Sequence, residues 1–211
     1  MSLSDVRREY EREGLTRDQL DPSPLVVYER WLAGALEAGI REATAATLAT
    51  ADAAGRPAAP TVLIKGIDGG GITFFTNYRS RKGRNLAENP YAALLSYWAD
   101  LERQIEAAGT VERIPDAESD AYFASRPRGA QLAAWASEQS AVIPSRAVLE
   151  RRMRELEAEY EGGDVPRPPH WGGYRLVPDA VQLWQGRPNR LHDRFRYSRT
   201  ADGWTIDQLA P

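Results

Sequence analysis

The sequence predicts a mainly β domain with peripheral helices, an α+β chain whose antiparallel strands close into a barrel. Three observations carry that expectation. About six to eight short runs read as strands, either alternating or continuously apolar. Turn signals join several of them into hairpins. About three or four helical runs are inserted among the strands rather than alternating regularly with them. The expected layout is an N-terminal arm over residues 1–22 and a single domain over residues 23–211.

Residues 5–20 are highly charged and poor in large apolar groups, which predicts a loosely held arm. Asp21-Pro22-Ser23-Pro24 then offers Ser23 as an N-cap and Pro24 as a first helical residue. Leu25, Tyr28, Leu32 and Leu36 repeat at helical spacing as far as Gly39. Residues 45–51 are small and β-compatible, and Gly55-Arg56-Pro57 is a turn. Thr61-Val62-Leu63-Ile64 is a strand run ending in Lys65. Asp68-Gly69-Gly70-Gly71 predicts a hairpin turn into Ile72-Thr73-Phe74-Phe75-Thr76.

Ser80 is a candidate N-cap for a helix reaching about Glu88. Arg81 and Lys82 then occupy its first turn, where cations oppose the helix dipole. That placement makes sense if an external anion is held by the free N–H groups and both side chains. Two solvated surface cations are the alternative.

Residues 91–98 and 104–114 read as strands, with Gly109 a candidate bulge. Asp116 is expected to cap a helix carrying Tyr122. Arg126-Pro127-Arg128-Gly129 breaks it before a second short helix at 131–137. Ser145 opens a longer helix to about Tyr160. Leu149, Met153, Leu156 and Tyr160 form its apolar stripe, and Glu150/Arg154 and Arg151/Glu155 are i,i+4 pairs. A Pro/Gly-rich connector follows, then strands near 174–177, 180–185, 192–197 and 204–209. If 190–197 is a strand, Arg190, His192 and Arg194 share one face. Three such groups side by side call for something negative opposite them, a phosphate or an electron-rich ring. A solvated edge neutralised by Asp193 is the other reading.

The composition, 42% hydrophobic and 27% charged over 211 residues, is that of an ordinary globular protein. A formal net charge of -3 gives no global attraction to nucleic acid or to an anionic membrane. With no cysteine and two distant histidines, neither a thiolate nucleophile nor a metal site is expected. No apolar run approaches the ~20 residues that span a bilayer, and the N-terminus lacks a signal-peptide pattern, so a cytoplasmic protein is expected.

Taken in order, several motifs resemble one family. They are Val62-Leu63-Ile64-Lys65, Phe75-Thr76-Asn77, Ser80-Arg81-Lys82, Leu101-Glu102-Arg103-Gln104, Tyr122-Phe123-Ala124-Ser125-Arg126-Pro127, Trp135-Ala136-Ser137-Glu138-Gln139-Ser140, Trp171-Gly172-Gly173 and Trp184-Gln185-Gly186 with Arg190-Leu191-His192-Asp193-Arg194. The chain resembles the pyridoxine/pyridoxamine 5′-phosphate oxidases. The resemblance runs from Arg7-Arg8-Glu9-Tyr10 to the C-terminus. It implies an FMN-binding split β-barrel, a homodimer with FMN at the interface, and oxidation of a phosphorylated B6 vitamer by dioxygen to give hydrogen peroxide.

By resemblance, Ser80, Arg81 and Lys82 serve the FMN phosphate, and Thr61, Val62, Leu63, Lys65, Phe75 and Thr76 lie along the flavin and its ribityl chain. Gln104, Gln139, Ser140, Trp184 and Arg194 complete that site, partly from the other subunit. Lys65, Tyr122 and Arg126 match substrate-phosphate positions. Arg190 and His192 match the catalytic residues beside the pyridine ring, and Arg7 and Tyr10 match an N-terminal lid that also touches substrate. Two positions depart from the family pattern. Pro60 stands where an FMN-binding arginine is usual, and Ala130 where a serine helps hold the substrate phosphate. A split-barrel oxidase for another reduced planar anionic ring, of the phenazine-precursor type, and a non-catalytic flavin or pyridoxal-phosphate binding protein are the rival implications.

Overall fold

A computed structural model of the chain describes Ser2 and residues 9–211. The predicted mixture of barrel and peripheral helices is what the chain forms. Among the described residues there are nine strands: β1 (Ala45–Ala51), β2 (Pro57–Ala58), β3 (Thr61–Asp68), β4 (Gly71–Asn77), β5 (Tyr91–Trp98), β6 (Arg103–Arg113), β7 (Trp171–Gln185), β8 (Asp193–Thr200) and β9 (Gly203–Leu209). Five α-helices accompany them: α1 (Pro24–Glu37), α2 (Arg81–Glu88), α3 (Asp116–Ala124), α4 (Arg128–Ala136) and α5 (Arg146–Glu159).

The strand order is β4-β3-β1-β5-β6-β7-β8-β9, and β4 also pairs with β7. All of the pairings are antiparallel. The β4–β7 pairing closes a ring through β3, β1, β5 and β6. One edge of β7 is shared. Its first half, from Trp171 to Leu176, pairs with β4, and its second half, from Ala180 to Gln185, pairs with β8. The barrel therefore parts where β7 passes from one neighbour to the other, and β8 and β9 run off as a hairpin. This is the split barrel that the resemblance implied.

Strand alternation fills the barrel. Leu48, Ile72, Phe74, Leu94, Ile105, Leu176 and Leu183 are fully buried. Helix α1 packs Leu25, Tyr28, Trp31 and Ala35 against them. Of the predicted stripe, Leu25 and Tyr28 are buried and Leu32 packs part-buried against the core, while Trp31 and Ala35 join them. Leu36 is 55% exposed, since Ala35 holds the buried position of the last turn. The Tyr28 hydroxyl reaches Ser96 Oγ at 2.7 Å, and burial pushes its pKa up to about 12. A second core joins Phe123, Leu132, Leu156, Val165 and Trp171 under α3, α4 and α5. It anchors the helices to the start of β7.

Other expectations need correction. The strand expected near 192–197 runs from Asp193 to Thr200, so the condition that 190–197 is a strand is not met. Pro188, Asn189 and Arg190 form a 3-10 turn with Asn189 at φ 56° and Arg190 at φ 64°. Arg190, His192 and Arg194 therefore do not share a strand face. The separate strands at 174–177 and 180–185 are one strand of 15 residues. Pro178 does not break it: it faces Gly109 at the register shift between β6 and β7, beside the unpaired Asp179, and its other side falls between the β4 and β8 pairings. A register shift does fall at Gly109, but the extra residue is Asp179 on β7, which lies between the partners of Ala108 and Gly109. Helix α3 is capped by Pro115 rather than Asp116, and α4 starts at Arg128 behind Pro127. Ser23 and Ser145 occupy N-cap positions without a side-chain cap bond. Glu150 pairs with Arg146 at 2.9 Å, whereas the Arg151–Glu155 pair forms as expected at 3.9 Å.

Candidate active site

Ser80 ends β4's exit loop and caps α2, accepting the N–H of Gly83 on its hydroxyl at 3.2 Å. A Cβ on Gly83 would lie 2.2 Å from the Tyr78 carbonyl oxygen, so this tight entry needs glycine. Lys82 turns inward and is buried. Its Nζ donates to Gln139 Oε1 at 3.0 Å and Thr76 Oγ1 at 3.3 Å, both neutral acceptors. Burial holds its pKa below the usual lysine value. Arg81 is exposed. Its N–H donates to Ser140 Oγ at 3.2 Å, and its guanidinium donates to the Pro57 carbonyl. Ser140 sits at φ 75°, which turns its hydroxyl toward the helix start. Thr76, Ser80, Arg81, Lys82, Gln139 and Ser140 are thus one cluster within a single copy of the chain.

Along β3 the exposure alternates. Thr61, Leu63 and Lys65 face outward while Val62 and Ile64 enter the core, so Val62 offers an outside molecule only its backbone. Lys65 lies at a register shift between Ile64 and Gly66, the residue that β4 leaves unpaired.

A stack of aromatic rings adjoins β4. Phe75 and Tyr122 are 3.9 Å apart and nearly parallel, and Trp171 continues the stack 5.5 Å from Phe75. The Arg126 guanidinium lies 4.5 Å from the Trp171 centroid and 5.5 Å from that of Phe123. Its Nη1 is buried with no hydrogen-bond partner, and burial lowers its pKa. A desolvated guanidinium with an idle N–H is built for an anion.

A third group lies at the other end of β7. Gln104, Trp184 and Arg194 are successive cross-strand partners on β6, β7 and β8. Arg194 donates to Gln182 Oε1 at 2.9 Å and to the Ala210 carbonyl at 3.0 Å, and its Nε is buried without a partner. His192 lies 4.7 Å from Trp184 and 5.4 Å from Tyr10. The Arg187 N–H donates to His192 Nδ1 at 3.1 Å, which leaves the proton of the neutral ring on Nε2. Burial, then Arg190 and Arg194, lower the His192 pKa against an opposing pull from Asp193. Arg190 is exposed, 6.0 Å from the Tyr10 ring. Arg7 lies outside the described residues.

Thr76 pairs with Gly172, and Trp184 is twelve positions further along β7. At strand rise the two ends stand about 40 Å apart along the strand. One copy of the chain therefore does not bring the first two groups and the third together. Sequence reasoning missed Glu102, which is 3% exposed beside Gln185 and Gly186, and Trp171 as a stacking partner of Phe75. For Trp171 the following glycine pair was a usable signal. Glu102 stood inside the Leu101-Glu102-Arg103-Gln104 motif, but its burial depends on a left-handed turn at φ 54° that the motif does not announce.

The architecture defines the class as a split barrel with peripheral helices. Residues 32–160 match the model of pyridoxamine 5′-phosphate oxidase, and residues 171–211 match that of the pyridoxine 5′-phosphate oxidase C-terminal dimerisation region. The chain belongs to the pyridoxamine 5′-phosphate oxidase family. It is 56% identical over 211 residues to the pyridoxine/pyridoxamine 5′-phosphate oxidase of Paraburkholderia phymatum, covering 100% of this chain and 99% of that one. The Cyanothece protein of the same name is 52% identical at equal coverage. Among solved structures, PhzG from Burkholderia lata, in complex with tetrahydrophenazine-1-carboxylic acid, superposes with a TM-score of 0.90 at 34% identity, covering 97% of this chain and 100% of that one. A pyridoxamine 5′-phosphate oxidase-related, FMN binding protein from Nostoc punctiforme, at 19% identity and a TM-score of 0.72 over 91% of this chain and 100% of that one, shares the fold.

Proposed function

We propose that this chain oxidises pyridoxine 5′-phosphate and pyridoxamine 5′-phosphate to pyridoxal 5′-phosphate, with FMN as cofactor and dioxygen as the final acceptor. The observation that carries the reading is Arg126, half-buried beside an aromatic stack with a buried, idle Nη1. Full-length likeness to proteins named for this reaction supports it.

The residues present suit both phosphorylated molecules. Ser80, Arg81, Lys82, Gln139, Ser140 and Thr76 would hold the FMN phosphate, with the α2 N-terminus adding its free N–H groups. Thr61, Leu63 and the Val62 backbone, with Phe75, would flank the flavin. Lys65, Tyr122 and Arg126 would take the substrate phosphate. Gln104, Trp184, Arg194, Arg190 and His192 would come from a second copy, since they stand at the far end of β7. The C-terminal match to a dimerisation region supports a homodimer of this kind.

When bound, FMN supplies the hydride acceptor and passes the electrons to dioxygen. The protein's share is positional. Two anion sites would hold the two molecules at their phosphates and so orient one against the other. Arg190 and Arg194 set permanent positive charge where negative charge develops. His192 offers an Nε2–H to the substrate.

The test is spectroscopic. Purified protein loaded with FMN should lose its flavin absorbance on anaerobic addition of either phosphorylated vitamer and regain it in air. A spectrum untouched by both vitamers would remove the reading. PhzG gives weight to a second one, an oxidase for a reduced phenazine precursor. Bleaching by such a ring in place of the vitamers would select it.

A further inference from the structure

Residues 9–15 belong to no helix or strand, so their backbone N–H groups have no ladder to join. Two side chains take that role. The Glu102 carboxylate accepts the N–H of Glu11 at 3.1 and 3.4 Å and the N–H of Arg12 at 3.1 Å. Asp193 Oδ2 accepts the N–H of Leu15 at 2.9 Å. Glu102 is itself pinned, because its carbonyl accepts the N–H of Gly186 at 2.7 Å and Gln185 Nε2 at 3.1 Å. Tyr10, one residue before the first of these bonds, lies edge-on to Trp184 and His192 at 5.5 and 5.4 Å. Its ring also abuts Gly186, where a Cβ would come within 2.8 Å of it.

A buried carboxylate is costly unless its oxygens are hydrogen-bonded. Here both oxygens are occupied by backbone donors of the arm. Lifting the arm would strip both acceptors at once, so Glu102 and the arm hold each other down.

We infer that Glu102 is a positioning residue: its carboxylate latches residues 11 and 12 and thereby holds Tyr10 over the Trp184–His192 end of the site. This deepens the function proposed above and rests on it. The arm's own sequence does not set the position of Tyr10. A carboxylate on the β5–β6 turn does, next to the strand that carries Gln104.

The experiment compares the parent with Glu102→Gln, Tyr10→Ala and the double variant, all as FMN-loaded protein. Glutamine keeps the size and the left-handed turn but replaces one acceptor oxygen by a donor facing a donor. Amide hydrogen exchange reads the latch directly. In Glu102→Gln, the amides of Glu11 and Arg12 should exchange at least about tenfold faster, with β6 and β7 unchanged. KM for the vitamer phosphate should rise about tenfold, with kcat and FMN retention near the parent's. Tyr10→Ala should raise KM similarly, and the double variant should add little, because both act through one contact.

Unchanged exchange at Glu11 and Arg12 overturns the latch whatever the kinetics show. Faster exchange with an unchanged KM, or fully additive effects in the double variant, overturns the positioning role. If Glu102→Gln fails to fold, Gly186→Ala sets a Cβ within 2.8 Å of the Tyr10 ring and 2.9 Å of Glu102 Cβ, displaces the same contact and should give the same KM rise; a parent-like KM there counts against the proposal. A parent that oxidises neither vitamer sinks the proposed function instead, and the exchange data still decide the latch.

Discussion

Arg126 and Trp171 form a cation–π pair, with the guanidinium carbon 4.5 Å from the ring centroid and Nη1 buried without a partner. The ring fixes the plane of the guanidinium and leaves one N–H free. Replacing Arg126 with methionine keeps the packing and removes the donor. A charge-assisted bond is worth about 1.5–3 kcal/mol, so KM for the phosphorylated substrate should rise roughly ten- to a hundredfold. FMN affinity, measured by fluorescence titration, should stay within about twofold, since no proposed FMN-phosphate contact is touched.

Lys82 predicts a trade between stability and binding. Its ammonium is buried against neutral acceptors, which disfavours the charged form. In flavin-free protein, Lys82→Met should therefore raise Tm, by about 2–4 °C for each kcal/mol of desolvation relieved. The same variant should bind FMN at least about tenfold more weakly. The sign with pH follows from a lysine pKa that is lower folded than unfolded. The penalty is present at neutral pH and fades as pH rises toward 10.5, so the Tm gap between variant and parent should narrow there. A gap that widens in alkali would contradict this.

Arg81 and Arg190 should separate cleanly. Arg81→Ala should loosen FMN about tenfold, with the rate of flavin reduction in loaded protein little altered. Arg190→Ala should slow anaerobic flavin reduction by about tenfold or more, with FMN retained. Swapped effects would reverse the assignment.

Two copies per site can be read by complementation. Subunits carrying Arg126→Met and Arg190→Ala, each at about a tenth of parental activity or less when assayed alone at vitamer well below KM, should rise to about a quarter of it when unfolded together and refolded at equal ratio. Random pairing makes about half the dimers mixed, and each mixed dimer has one undamaged site. No recovery would place all the groups within one copy.

Gly109 tests the bulge. A Cβ there would sit 2.1 Å from the Val177 carbonyl oxygen. Gly109→Ala should cost about 1–3 kcal/mol by denaturant melt, with FMN binding at fixed folded fraction unchanged.

Much of the fold was legible because its signals are local. The Asp68-Gly69-Gly70-Gly71 turn, the alternation in β3 and the Ser80 cap each depend on neighbours in sequence. What was illegible depends on partners far along the chain. Pro178 reads as a strand break until Gly109 is set opposite it. Arg190 reads as a strand residue until Asn189 turns left-handed. The Lys82 cluster was foreseeable as a helix-start anomaly, but its closure by Gln139 and Ser140 spans about sixty residues. Glu102 looked like any surface acid.

The divided edge of β7 has a consequence for truncation. Ending the chain after Gln185 would remove the β8–β9 hairpin and bare the row of peptide groups from Ala180 to Gln185, inside a stretch rich in Val, Leu and Trp. Such a margin invites strand addition from another molecule, so shortened forms should accumulate as fibrillar or insoluble material rather than as smaller working barrels.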